Sequence, residues 1–196
     1  QRHHPYENIR LNIAGHARYE YTEVARSYIP MHWHGALELI YILSGELTVE
    51  TEQRRWQLHA GQCIFVSPYV LHSTISLSGS TALLLQIPTE ELGDFAPETR
   101  SHQFIWDAET TNPTMTAAIE RVKQKLLQMQ RTASSDSPFR DIRMASLLLE
   151  IIYLVYEEFS RPVTEDSLFR REKNRQRLSA GMAETEAHYR GNIAPT

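Results

Sequence analysis

His32-Trp33-His34-Gly35-Ala36-Leu37-Glu38 is the stretch on which the reading of this chain turns. In an extended strand, residues two apart point to one face, so His32 and His34 share a side. Glu38 follows His34 by four, an even step that keeps it on that side if the run is unbroken. Gly35 is the position where the run would bend or bulge. A second stretch, Gly61-Gln62-Cys63-Ile64-Phe65-Val66-Ser67-Pro68-Tyr69-Val70-Leu71-His72, ends in another imidazole. A barrel brings His72 opposite the first group. Three imidazoles and one carboxylate suit a divalent first-row metal such as Zn, Ni, Cu, Fe or Mn. A second reading keeps the four as hydrogen-bonding groups in a metal-free pocket. His3, His4, His16, His59, His102 and His188 have no partner pattern and read as surface or structural residues.

The flanking sequence has strand character. Tyr19 to Arg26 is rich in strand formers, and Leu37 to Glu50 reads as two strand-like runs around a turn at Ser44-Gly45. Arg55 to His59, Gln62 to Val66, His72 to Leu77 and Ala82 to Ile87 follow, separated by glycine-bearing turns. Many short strands at this spacing predict a sandwich or barrel. By period-two counting, Glu38, Ile40 and Ile42 form one face, and His72, Thr74 and Ser76 another. Gln86 is a polar residue within an apolar strand. Trp33, Tyr41, Trp56 and Trp106 are candidates for a stacking surface or for core.

Beyond the strands the pattern becomes helical. Met115, Ile119, Val122, Leu126 and Met129 form a heptad-like stripe, opened by Asn112-Pro113 as cap and first turn. Pro138 opens a second helix that runs to about Phe159. Its apolar residues, Leu148 and Ile152 among them, cover more than one stripe and require a partner on two sides. A second copy of the chain is the simplest partner for the outer side, and a helix sandwiched inside the monomer is the alternative. Arg161-Pro162 stops the helix.

The 196 residues carry 20 Lys or Arg and 24 Asp or Glu, a net charge of -4. That balance disfavours duplex DNA as a partner of this piece alone. From position 161 onward the sign reverses, with Arg170, Arg171, Lys173, Arg175 and Arg177 clustered. The run reads as a solvated face or as the approach to a nucleic-acid-binding module. No apolar run approaches the length of a membrane span. The single cysteine, Cys63, excludes an intrachain disulfide framework and suits a reducing compartment, with the cytoplasm as the expected location.

The spacing His-x-His-x3-Glu-x6-Gly from His32 to Gly45 resembles the first cupin motif, and Gly61 to His72 resembles the second. The second departs at Ser67, where proline is usual, and at Tyr69, where glycine is usual. More narrowly, Met31 to His34, Glu38 to Leu47, Leu58 to Gly61, Ser67-Pro68 and His72-Ser73 resemble the N-terminal effector domain of AraC/XylS-type transcription regulators. Asn174 to Thr196 is similar to the opening of that family's DNA-binding half.

The resemblance implies an α+β fold, a cupin-type antiparallel β-barrel followed by a helical dimerisation element. It divides the chain into a barrel with an N-terminal arm over 1–108, dimerisation helices over 109–161, and a linker with the start of a truncated helix-turn-helix domain over 162–196. It implies a non-catalytic, homodimeric sensor that binds a small metabolite, a sugar or related compound, and reaches DNA only through the part beyond this chain. The implied metal ligands are His32, His34, Glu38 and His72, holding Zn, Ni, Fe or Mn. The implied effector-binding set is His32, His34, Glu38, Ile40, Ile42, His72, Thr74 and Gln86. A metal-dependent cupin enzyme, a dioxygenase or isomerase, is the competing expectation, and an adapter domain without effector is a third.

Overall fold

The computed structural model describes residues 5–95, 102–104, 106, 110–162 and 176. The basic cluster and helix opening expected over 163–196 lie outside the described residues apart from Gln176, as do His3, His4 and His188. Strands β1 (Arg18–Val24), β2 (Ser27–His32), β3 (Ala36–Thr51), β4 (Arg55–His59), β5 (Cys63–Val66), β6 (His72–Ser76) and β7 (Ser80–Pro88) come first. They are followed by α1 (Thr89–Phe95), β8 (His102–Phe104), α2 (Pro113–Ala133), α3 (Arg140–Phe159) and β9 (Ser160–Pro162).

The first seven strands form one antiparallel sheet in the order β1-β7-β3-β6-β2, with β4 and β5 also paired to β3. The long strand β3 organises it. Residues 36–41 pair with β5 and β7, and residues 46–51 with β4 and β6. Two runs around a turn were expected here, and the chain instead continues as one strand of 16 residues. The register against β7 shifts between Ile42 and Ser44, and Gly45 adopts φ +74°. A bulge bends and twists a strand without ending it, which curls the sheet into a half-barrel. Gly45 is required at the bend, because a Cβ there would stand 2.1 Å from the Gly79 carbonyl oxygen.

Alternation along β3 divides its residues between two apolar clusters. Leu37 and Leu39 join Leu83, Leu85 and Ile87 of β7 in a core shared with both long helices. Ile40 and Ile42 join Val49, Leu58, Ile64 and Val66 inside the curl.

Asn112 caps α2 by accepting from the backbone amides of Thr114 and Met115, with Pro113 in the first turn. Helices α2 and α3 form an antiparallel hairpin. Arg121 pairs with Glu158, Lys125 with Glu150, and Arg143 donates to Gln128 at 3.1 Å. The predicted stripe on α2 supplies buried Val122, Leu126 and Met129.

On α3 the structure corrects the expected interface. Leu148 and Ile152 are buried within the monomer, together with Leu147, Ile151, Leu154 and Val155. The sheet and α2 cover most of the breadth that pointed to a second copy. What stays exposed is narrower: Phe139, Ile142, Leu149 and Tyr153. No helix among the described residues is long and apolar enough to cross a membrane.

Candidate functional site

His32 ends β2, Trp33 and His34 lie between strands, and Glu38 stands on β3. The extended run is therefore interrupted before Gly35, yet the side chains still converge. His72 opens β6 and faces His32 in the β2–β6 register. The ring centroids of His32 and His72 are 4.3 Å apart, and those of His34 and His72 5.0 Å. His34 is 1% exposed, Glu38 4% and His72 0%.

Tyr69 explains how His72 arrives despite the missing glycine. It adopts φ +64°, the left-handed conformation a glycine would take freely. That backbone costs about 1 kcal/mol or more for an L-residue. Local bonds offset it: the Tyr69 amide donates to the His34 carbonyl at 2.9 Å, and the phenol hydroxyl lies 3.2 Å from Thr89 Oγ1. The Tyr69 side chain lies over Gly35, where an added Cβ would come within 3.1 Å of its hydroxyl oxygen. The substituted turn thus braces the loop carrying His34.

Every imidazole is oriented by its own backbone. His32 Nδ1 donates to the Pro30 carbonyl at 2.9 Å, His34 Nδ1 to Ala36 at 3.1 Å, and His72 Nδ1 to Val70 at 2.9 Å. A carbonyl only accepts, so each Nδ1 carries a proton, and in the neutral ring each Nε2 presents its lone pair inward. His34 Nε2 then faces Glu38 Oε2 at 2.9 Å. Two lone pairs at that distance repel, so the contact calls for a positive bridge, a proton or a cation. His72 Nε2 lies 3.7 Å from Glu38 Oε1, too far for a hydrogen bond, and is buried without a hydrogen-bond partner.

Such backbone anchoring is the usual support for metal-bound histidine. One ring nitrogen from each of His32, His34 and His72 lies within 4.8 Å of the other two, and His34 is likewise grouped with carboxylate oxygens of Glu38 and Glu7. The orphaned His72 nitrogen and the inward lone pairs fit a nitrogen-rich site for a first-row divalent ion.

The electrostatics agree. Burial works against charge on Glu38, but hydrogen bonding from His34 and the nearness of His72 hold its carboxyl well below the usual range. Burial opposes charge on His72, and Glu38 overrides it to raise His72. Burial, then the neighbouring His72, lowers His32.

Two further residues complete the surroundings. Gln86, singled out in the sequence, donates to Glu38 Oε2 at 2.7 Å. Glu7, which no spacing marked, reaches the cluster from the N-terminal segment. Its Oε2 lies 3.6 Å from His32 Nε2 and accepts from Gln86 Nε2 at 3.0 Å. Its Oε1 accepts from Arg18 at 2.9 Å. The strand-like link between Tyr6 and Trp33 carries it there, a pairing between distant segments that periodicity does not reveal.

Of the other expected residues, Ile40 and Ile42 belong to the apolar cluster inside the curl, and Thr74 is buried on β6. Trp33 is buried against Tyr6. Tyr41 packs on the helix side, and Trp106 stacks on Phe65 at 3.8 Å and donates to the Cys63 carbonyl. Trp106 also packs against the apolar cluster inside the curl, so both residues take the core role that the sequence left open.

The family model of the AraC-like ligand binding domain matches residues 3–151. No curated protein matches. Among solved structures, a conserved protein of unknown function from Streptococcus pyogenes is 18% identical, with a TM-score of 0.36 over 37% of this chain and 65% of that one. The matched part therefore spans a little under two thirds of that protein. A cupin superfamily protein from Desulfitobacterium hafniense is 14% identical, with a TM-score of 0.38 over 41% of this chain and 74% of that one. A cupin-2 domain containing protein from Shewanella frigidimarina is 15% identical, with a TM-score of 0.35 over 40% and 74%.

Proposed function

The chain belongs to the AraC-like ligand binding domain family, and from that premise we propose that it is the effector-sensing and dimerising part of a DNA-binding transcription regulator. The observation that carries the sensing reading is the buried cluster of three imidazoles and Glu38 beside the apolar cluster inside the curl. Burying charge and unpartnered nitrogen works against folding. An orphaned donor set in such a place therefore points to a ligand. The effector is a small metabolite, and Ile40, Ile42 and Thr74 line its site together with Gln86.

His32, His34, His72 and Glu38 would hold the divalent ion. The ion would supply a positive centre that attracts and orients oxygen donors of the effector. Gln86 holds the Glu38 carboxylate in place, and the three backbone carbonyls keep the imidazoles turned inward. The family match supports a regulatory rather than a catalytic reading.

Signalling is a population shift. The effector binds one arrangement of the N-terminal segment and helices better than another, and that difference repositions DNA-binding halves outside this chain. The exposed stripe of Ile142, Leu149 and Tyr153 on α3, with Phe139 at its N-cap, is the proposed homodimer surface, and the cytoplasm the proposed compartment.

Calorimetric titration with Zn2+ or Ni2+ and a thermal-shift panel of sugars and organic acids test this reading. One ion per chain is expected, with at least a tenfold loss of affinity in His72→Ala. At least one metabolite should raise the melting temperature, because a ligand that binds only the folded state stabilises it. A panel with no shift on either the metal-free or the metal-loaded protein would sink the sensing reading. Consumption of a panel compound by the loaded protein would favour a cupin enzyme.

A further inference from the structure

We propose that the mouth of the imidazole cluster contains a carboxylate subsite, filled here by Glu7, and that the effector is an organic carboxylate that displaces it. The inference rests on the sensing reading above and narrows its ligand class.

The cradle is built by the sheet, without Glu7. Arg18 and Gln86 face each other in the β1–β7 register, and the Arg18 guanidinium donates to Gln86 Oε1 at 3.2 Å and pairs with Glu20. The Gln86 amide donates to Glu38 on its other side. A guanidinium, a fixed amide and the His32 imidazole therefore converge at one place. The Glu7 carboxylate fills it, with Oε1 on Arg18 and Oε2 on Gln86 beside His32. A forked guanidinium and a fixed amide match both oxygens of a carboxylate. A neutral hydroxyl compound would leave the Arg18 Nη1 side of the fork without a charged acceptor, with only Glu20 as its anion.

Glu7 is also the exchangeable member. Its segment is joined to the site region through Trp33, by the Glu7 amide to the Trp33 carbonyl at 2.9 Å and the Trp33 amide to Pro5 at 3.2 Å. Glu7 shares the Gln86 amide with Glu38, and its side chain remains 30% exposed, so it can leave without unpacking the core. Beside Arg18 a shallow cleft of about 420 Å³ is lined by Asn8, Arg10, Leu11, Asn12 and Arg18. Its two guanidiniums draw anions toward the subsite.

The test vacates the subsite and refills it. Glu7→Ala and the isosteric Glu7→Gln are melted in sodium acetate, in acetamide and in sodium chloride at matched ionic strength, with and without Zn2+. Acetate should raise the melting temperature of Glu7→Ala by about 2–4 °C relative to chloride. Acetamide should not. The wild-type response should be weaker, because the tethered Glu7 competes at millimolar or higher effective concentration. Adding Arg18→Met should abolish the acetate response. Should Glu7→Ala not fold, the Gln variant is expected to show no acetate preference over wild type while binding Zn2+ normally. Equal shifts with acetamide or chloride, or an acetate response that persists without Arg18, would overturn the proposal. An uncharged sugar that stabilises wild type while acetate leaves Glu7→Ala unmoved would remove the carboxylate subsite and leave sensing intact. An acetate response with no stabilising metabolite would keep the subsite and remove sensing.

Discussion

The two faces of β3 near its start are buried for opposite reasons. Leu37 and Leu39 point toward α2 and α3 into a core of aliphatic side chains. One residue away in each case, Glu38 and Ile40 point into the curl, where Glu38 meets three imidazoles, two of them through contacts within 4 Å. The outer face is stabilised by non-directional burial and close packing. The inner face combines an apolar cluster with imidazoles oriented by backbone carbonyls, and it keeps an unsatisfied nitrogen among them. Aliphatic packing and the polar candidate site thus lie on opposite sides of one strand.

That contrast breaks first where packing is attacked. Leu126 on α2 is fully buried in the outer core, and Leu126→Ala should lose about 2–5 kcal/mol in chemical denaturation. Its Zn2+ stoichiometry should be unchanged while it remains folded. A variant that lost its metal but not its stability would contradict the division.

The joint between the two halves of β3 comes next. Gly45→Ala forces an L-residue into φ +74° against the Gly79 carbonyl. A loss of about 1–3 kcal/mol from the backbone alone should appear as a lower denaturation midpoint.

Glu38→Gln sharpens the inner face through pH. The Glu38 carboxyl is depressed in the fold, so its contribution is present above its ordinary pKa of 4.5 and lost as pH falls below it. In metal-free protein the melting-temperature gap between wild type and Glu38→Gln should therefore shrink as pH falls from 5 to 3. The raised His72 has the opposite sign: its contribution is full below 6.5 and fades as pH rises through its folded value. A gap independent of pH would mean that the carboxylate is not charged in the folded cluster.

The smallest expected change in fold stability lies on α3. Leu149→Glu with Tyr153→Glu alters exposed positions and should shift stability within about 0.5 kcal/mol for each. Light scattering should nevertheless report a monomer. A dimer surviving both changes would place the interface elsewhere.

Reading from sequence worked best where one period spans one element. The helix stripe from Met115 to Met129 and its Asn112-Pro113 start are local signals, because hydrogen bonding within a helix makes its pattern self-contained. The short strands were legible from alternation and glycine-bearing turns. The single passage of β3 through both halves of the sheet was not, since a bulge and a turn leave the same Ser44-Gly45 signature.

The breadth of α3 marked a helix buried on two sides, but not what covers each side. Leu148 and Ile152 meet the monomer's own core, while Ile142 and Tyr153 face outward.

For the site, residue type and spacing by themselves singled out His32, His34, Glu38 and His72 as candidate donors, because coordination chemistry restricts which side chains can serve. Only the tertiary structure decided their orientation, the orphaned His72 nitrogen, the left-handed Tyr69 that delivers it, and the arrival of Glu7 and Arg18. Those depend on backbone carbonyls and on pairings between segments far apart in the chain, and side-chain identity encodes neither.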